Sequence, residues 1–132
     1  MSGIPINPPQ LSPPAGFSHG VLSGRGRILH IAGETGHRRD MTLDDGFIAQ
    51  FSRACENVAA VVEEAGGAPT DVVSLTIYAT DVSAYRDNLA EVGMAYRSVF
   101  GRHYPAMALI GVSELVDPAA VVEITGVAVI ED

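Results

Sequence analysis

The stretch TLDDGFIAQFSRACENVAAVVEEAG, residues 42–66, constrains the fold most. Ile48, Phe51, Cys55, Val58, Val62 and Ala65 recur at spacings of three and four, which puts them on one apolar stripe of a helix. Thr42 is a candidate N-cap, with Asp44 and Asp45 in the expected first turn, where the helix dipole favours negative charge. Gly66-Gly67 ends the segment. A helix with one apolar stripe needs an apolar surface to lie on.

The rest of the chain supplies strands for that surface. DVVSLTIYAT (71–80), AMALIGV (106–112) and AVVEITGVAVIE (120–131) are rich in β-branched or apolar residues. FSHGVLSG (17–24) and RILHIAGE (27–34) read as two strands of a hairpin about Gly24-Arg25-Gly26. SAYRDNLAEVGMAYRSVFG (83–101) reads as a second helix, with Tyr85, Leu89, Val92, Tyr96, Val99 and Phe100 as its stripe. The expected order is β-β-α-β-α-β-β, an α+β fold of one domain over residues 17–132. Residues 1–16 hold five of the eight prolines and read as an extended arm without secondary structure.

Two helices cover only one face of such a sheet. A mean hydropathy of +0.22 leaves apolar surface that a lone subunit would expose. The uncovered face is therefore expected to pack on the same face of another subunit, as a dimer or trimer.

Charge and cysteine content exclude several classes. The net charge is −8 and all eight basic residues are arginine. That opposes nucleic-acid binding, which needs clustered cations. Without lysine there is no Schiff-base or P-loop chemistry. Cys55 is the only cysteine, which rules out an internal disulfide or a multi-cysteine zinc site, and its place on the helix stripe makes it a core residue. The four histidines show no metal-ligand spacing, so no metal is expected. The N-terminus has no signal-peptide pattern and no run is long enough for a membrane helix, which leads to a cytoplasmic expectation.

Several blocks then carry a resemblance. AGFSHGV, HIAGETG, ENVAAVVEEAGGAPTDVVSLTIYATD, YRSVFGRHYPA and VVEITGVAVI stand in the order found in the Rid family (reactive intermediate deaminases, also called the YjgF or L-PSP endoribonuclease family), and the chain resembles it over about residues 15–130. The resemblance implies a chorismate-mutase-like fold, with two helices on one face of a mixed sheet, assembled as a homotrimer with sheets facing inward. It implies ligand pockets between subunits, hydrolysis of enamines or imines to carbonyls and ammonia, and no cofactor. The family's deaminases carry an arginine after the YPA segment that grips the carboxylate of substrates such as 2-aminoacrylate. Here Met107 stands at that position, and a thioether cannot bind a carboxylate.

Other departures point the same way. Leu109 shares a strand face with Met107, because side chains alternate. Phe17 replaces a frequent tyrosine, Ala32 a frequent serine, and Gly93 a polar residue. Glu123 matches the acid that holds a water, although a solvated or interface-paired carboxylate is an alternative reading of it. Glu34 stands where glutamine is usual. His103 and Tyr104, before Pro105, lie at the strand entry; His103 is a candidate acid-base group or a loop anchor.

The resulting expectation is a trimeric enzyme for a small enamine, imine or related unsaturated compound without the usual amino-acid carboxylate. Glu123, Glu34 and His103 are the candidate catalytic residues. Phe17, Ala32, Gly93, Tyr104, Met107 and Leu109 are the candidate binding residues. Arg102, Arg25, Arg27 or the Arg38-Arg39 pair are candidates to supply a replacement cation. The alternative expectation is a metabolite-binding or accessory protein without chemistry, and the nuclease label fits the charge least.

Overall fold

The computed structural model describes residues 3–132. Among these residues six strands form: β1 (Gly3–Ile6), β2 (Gly20–Ser23), β3 (Arg27–Thr35), β4 (Val72–Ala79), β5 (Ala106–Gly111) and β6 (Val122–Ile130). Three α-helices, α1 (Phe47–Glu64), α2 (Val82–Arg86) and α3 (Leu89–Phe100), and a 3₁₀ turn at Pro69–Asp71 complete the chain. The main sheet has the order β3-β6-β4-β5, with β4 and β5 parallel and the other pairs antiparallel. This is the expected mixed α+β fold, with α1 and α3 packed on one face of the sheet.

The core lies between helices and sheet. Phe51, Ala54, Cys55, Val58 and Val62 of α1 meet Ile31, Leu75, Ile77, Val122 and Ile124, all buried. Burying a side chain of this size contributes about 1.5–3 kcal/mol. Cys55 is 1% exposed and burial pushes its thiol up to about 12, so it is a packing residue and not a nucleophile.

Gln50 and Ser18 are buried polar residues, and Gln50 lies within the helix face. Its amide donates to the carbonyls of Asp44 and Ala119 at 3.0 and 3.1 Å and its oxygen accepts from the Val121 N–H at 2.9 Å. It thereby ties the loop before α1 to the loop before β6.

Four expectations require correction. The hairpin about Gly24–Gly26 does not form. β2 pairs antiparallel with β1, and β3 pairs with β6. Gly26 instead lets the chain pass against Ile130, whose carbonyl oxygen would lie 2.5 Å from an added Cβ. The arm is not devoid of structure, since its residues 3–6 make β1; its first two residues lie outside the described residues. Pro5 is tolerated because the two-stranded ribbon has open edges, where a missing donor costs little.

The first helix starts at Phe47, not after Thr42. Thr42 Oγ1 and N–H both donate to the Asp40 carboxylate, and Asp44 is paired with Arg38 at 2.9 Å, so these residues build a loop. Gly46, at φ 90°, turns the chain into the helix. The second helix is broken into α2 and α3, because the Asn88 side-chain amide donates to the Ala84 carbonyl at 2.7 Å and draws the backbone out of helical register.

Candidate functional site

β5 is an edge strand, and a cleft opens between it and the helices. Met107 and Leu109 stand in register with Leu75 and Ile77, whose side chains are buried under the helices. Adjacent residues in register point to the same side of a sheet, so Met107 and Leu109 face the helical layer. There they line a cavity of about 560 Å³ together with Phe17, Gly93 and Tyr85. That volume suits a small organic ligand.

Phe17 is held in place by its neighbour. The Ser18 N–H donates to the Pro105 carbonyl at 3.0 Å, and Ser18 Oγ donates to the Tyr104 carbonyl at 2.6 Å. The Phe17 ring packs edge-on against His19 at 5.2 Å. Tyr104 stacks on Tyr96, ring centroids 5.8 Å apart, and stands behind the cleft wall, outside its lining.

Glu123 is on the other face. It pairs with Tyr78 on β4 and alternates with Val122 and Ile124, which are buried under the helices. Its carboxylate lies against the β3 backbone at Gly33, where an added Cβ would come 2.2 Å from Oε2. Beyond a bulge between Ile31 and Glu34, Glu34 stands in register with Ile124 and so points to the helical side, while Glu123 is in register with Thr35. Burial first, and the Glu123 charge second, raise the Glu34 pKa above the ordinary carboxylate value. Ala32 is exposed, one residue before Gly33.

A raised acid pKa has a defined stability consequence. The folded state binds the Glu34 proton more tightly than the unfolded state, so this contribution is fully present below the unfolded pKa. It is lost as pH rises through the folded pKa. Glu34→Gln removes the ionisation. The melting temperature of that variant relative to the parent should therefore rise between pH 4 and pH 7; a constant difference would contradict the raised pKa.

His103 is distant from both carboxylates within one chain. Its Nε2 donates to the Val72 carbonyl at 2.7 Å, and its own carbonyl accepts from Tyr96 Oη at 2.6 Å. Val72 begins β4 and Tyr78, the partner of Glu123, lies near its end, so His103 and Glu123 are separated by about 20 Å of strand. The structure thus brings Phe17, Gly93, Met107 and Leu109 together on the helical side, places Glu123 on the open face of the same sheet, and leaves Glu34 within reach of the Glu123 charge but on the other face from it.

The cations named from sequence do not reach the cleft. Arg27 pairs with Asp132 at 3.2 Å, Arg38 pairs with Asp44, Arg25 borders a separate hollow near Val73, and Arg102 is outside the lining. Arg86 and Arg97 line it instead, and sequence reasoning missed both. The signal that could have found Arg97 is Gly93 four residues earlier, a helix-interior glycine that leaves room for a long side chain folding back one turn.

An α+β sheet covered on one face by helices, with an open apolar cleft at its edge strand, has the chorismate-mutase-like fold. A family model described as endoribonuclease L-PSP matches residues 8–130. The chain belongs to that family, also called the Rid or YjgF family. It is similar to a Rid-family protein of Yersinia pestis, with 34% identity, a TM-score of 0.87, and coverage of 98% of this chain and 100% of that one. RidA of Psychrobacter sp. PAMC 21119 is 32% identical with a TM-score of 0.69, over 88% of this chain and 89% of that one. A RutC family protein of Aquifex aeolicus is 33% identical over 67% of this chain and 70% of its own length. Another, of Pyrococcus abyssi, is 36% identical over 50% of this chain, and the match spans about half of that relative, 49%. Membership supports a small-molecule enzyme or binding function. Among the described residues no helix is long and apolar enough to cross a membrane.

Proposed function

We propose that the chain works as a homotrimeric hydrolase of a small enamine, imine or related unsaturated metabolite that has no carboxylate at the reacting carbon. The observation that carries this reading is Glu123, a carboxylate on the uncovered sheet face, set against the Gly33 backbone. Its charge adds to burial in raising the Glu34 pKa, so an acid that holds its proton more tightly than usual stands within electrostatic reach of it. This function requires that assembly bring Glu123 of one subunit to the β5 edge of an adjoining subunit.

Glu123 takes a proton from a water as its oxygen adds to the C=N carbon, and Glu34 gives a proton to the nitrogen. Collapse of the carbinolamine breaks the C–N bond, leaving a carbonyl and ammonia. An enamine first takes a proton on carbon to become the imine. Phe17, Met107 and Leu109 shape an apolar wall, Gly93 and Ala32 leave space, and Tyr104 backs the wall. His103 supports the loop that presents them.

Ammonia release from a panel of small imines and enamines tests this reading; saturable binding of those compounds without ammonia release favours the binding-protein alternative, to which the loss of a cation at Met107 lends weight. The assembly is tested separately. Exposed Ile4, Leu22, Ile28 and Ile110 leave apolar surface for subunit contact. Light scattering should give three times the chain mass of 13.8 kDa, and a monomer at micromolar concentration would remove the shared pocket.

A further inference from the structure

The chain has sixteen acidic residues and eight arginines, yet no acid and two of the arginines line the β5 cleft. Arg27, Arg38 and Arg53 have carboxylate partners at 2.9–3.2 Å. Among the described residues Arg86 and Arg97 have none. In a strongly acidic protein, two unpaired guanidiniums at one apolar cavity form a local field that favours an anion.

Gly93 is the second observation. It is in the interior of α3, where glycine is less favourable than alanine. Its bare Cα accommodates the Arg97 head: an added Cβ would lie 2.9 Å from Nη1. The glycine thus lets the guanidinium fold back along the helix to the cleft. The remaining lining (Phe17, Leu89, Val92, Met107 and Leu109 among it) is apolar.

From this arrangement we propose that the cleft binds an amphiphilic monocarboxylate, its carboxylate held from the helix side by Arg97 and Arg86 and its apolar body lying against Met107 and Leu109. The inference rests on the reading of this cleft as the ligand site and adds the ligand's class. The anionic end is then remote from the strand wall, at the far end of a hydrocarbon body. A three-carbon acid is too short to fill such a site. A planar guanidinium suits a carboxylate because it donates two parallel hydrogen bonds.

Hexanoate and 1-hexanol are the probes, titrated into the full chain at low ionic strength and followed by calorimetry or NMR. A purely apolar cleft favours the alcohol, which is the easier of the two to desolvate. The proposal expects hexanoate to bind about tenfold more tightly than hexanol. That preference should disappear in Arg97→Met, which keeps an aliphatic stem and removes the charge, with the melting curve showing that the fold is retained. Equal affinities, tighter binding of the alcohol, no saturable binding of hexanoate, or an undiminished preference in Arg97→Met would each overturn it. The readout needs no turnover. A failed anion preference leaves imine hydrolysis standing, and a failed ammonia assay leaves the anion site standing.

Discussion

2-Aminoacrylate should be hydrolysed several hundred- to several thousand-fold more slowly than by a relative with arginine at the position of Met107. A two-point salt bridge to a substrate carboxylate is worth roughly 3–5 kcal/mol where it forms away from water, and each 1.36 kcal/mol is a factor of ten in rate. Nothing on the strand wall replaces that group. Met107 and Leu109 lie over the partly covered edge of the core, and Phe17 offers no hydroxyl. Arg86 and Arg97 approach from the helices, and both are exposed, so water weakens their pull to about the tenfold preference expected for hexanoate, well short of a two-point salt bridge away from water. Pyruvate and ammonia formation measures the effect, with an arginine-bearing relative as reference; comparable rates would sink the expectation. Met107→Arg should restore only part of the activity. Its register with Leu75 aims the new side chain into the cleft, but Arg97 already borders that space and the two cations repel.

The parts of the fold legible in sequence are those set by local periodicity. The stripe from Phe51 to Val62 repeats every three or four residues because one side of α1 is in the core. The alternation that pairs Met107 with Leu109 on one face is equally local. Which face they occupy is not, because it follows from pairing with β4, 32 residues away between Leu75 and Met107. The false hairpin has the same cause. β3 finds its partner in β6, almost a hundred residues on, and short-range turn chemistry carries no record of that choice. Glu34 and Glu123 come within electrostatic reach of each other through that same long-range pairing and its bulge. Arg86 and Arg97 were hidden for a different reason: on a helix surface an arginine looks like ordinary solvation, and only a cavity beside it gives it a role.

Glu123→Gln should lower turnover of an imine substrate by about 10²–10⁴ while leaving assembly and ligand affinity unchanged. The amide keeps the size of the carboxylate and still fits over Gly33, but it cannot take a proton from water. The variant also acts on its neighbour. The Glu123 charge is the second cause of the raised Glu34 pKa, so its removal should lower that pKa, although burial, the larger cause, keeps it above the ordinary value. The pH limb that reports the proton donor in any residual activity should therefore move downward; that shift follows from the lost charge alone, and the drop in turnover is what tests the catalytic role. Two outcomes contradict the role. Unchanged turnover would show that no catalytic water depends on the carboxylate. A weakened trimer would show instead that Glu123 is paired across the interface, because removing its charge leaves a buried partner unmatched.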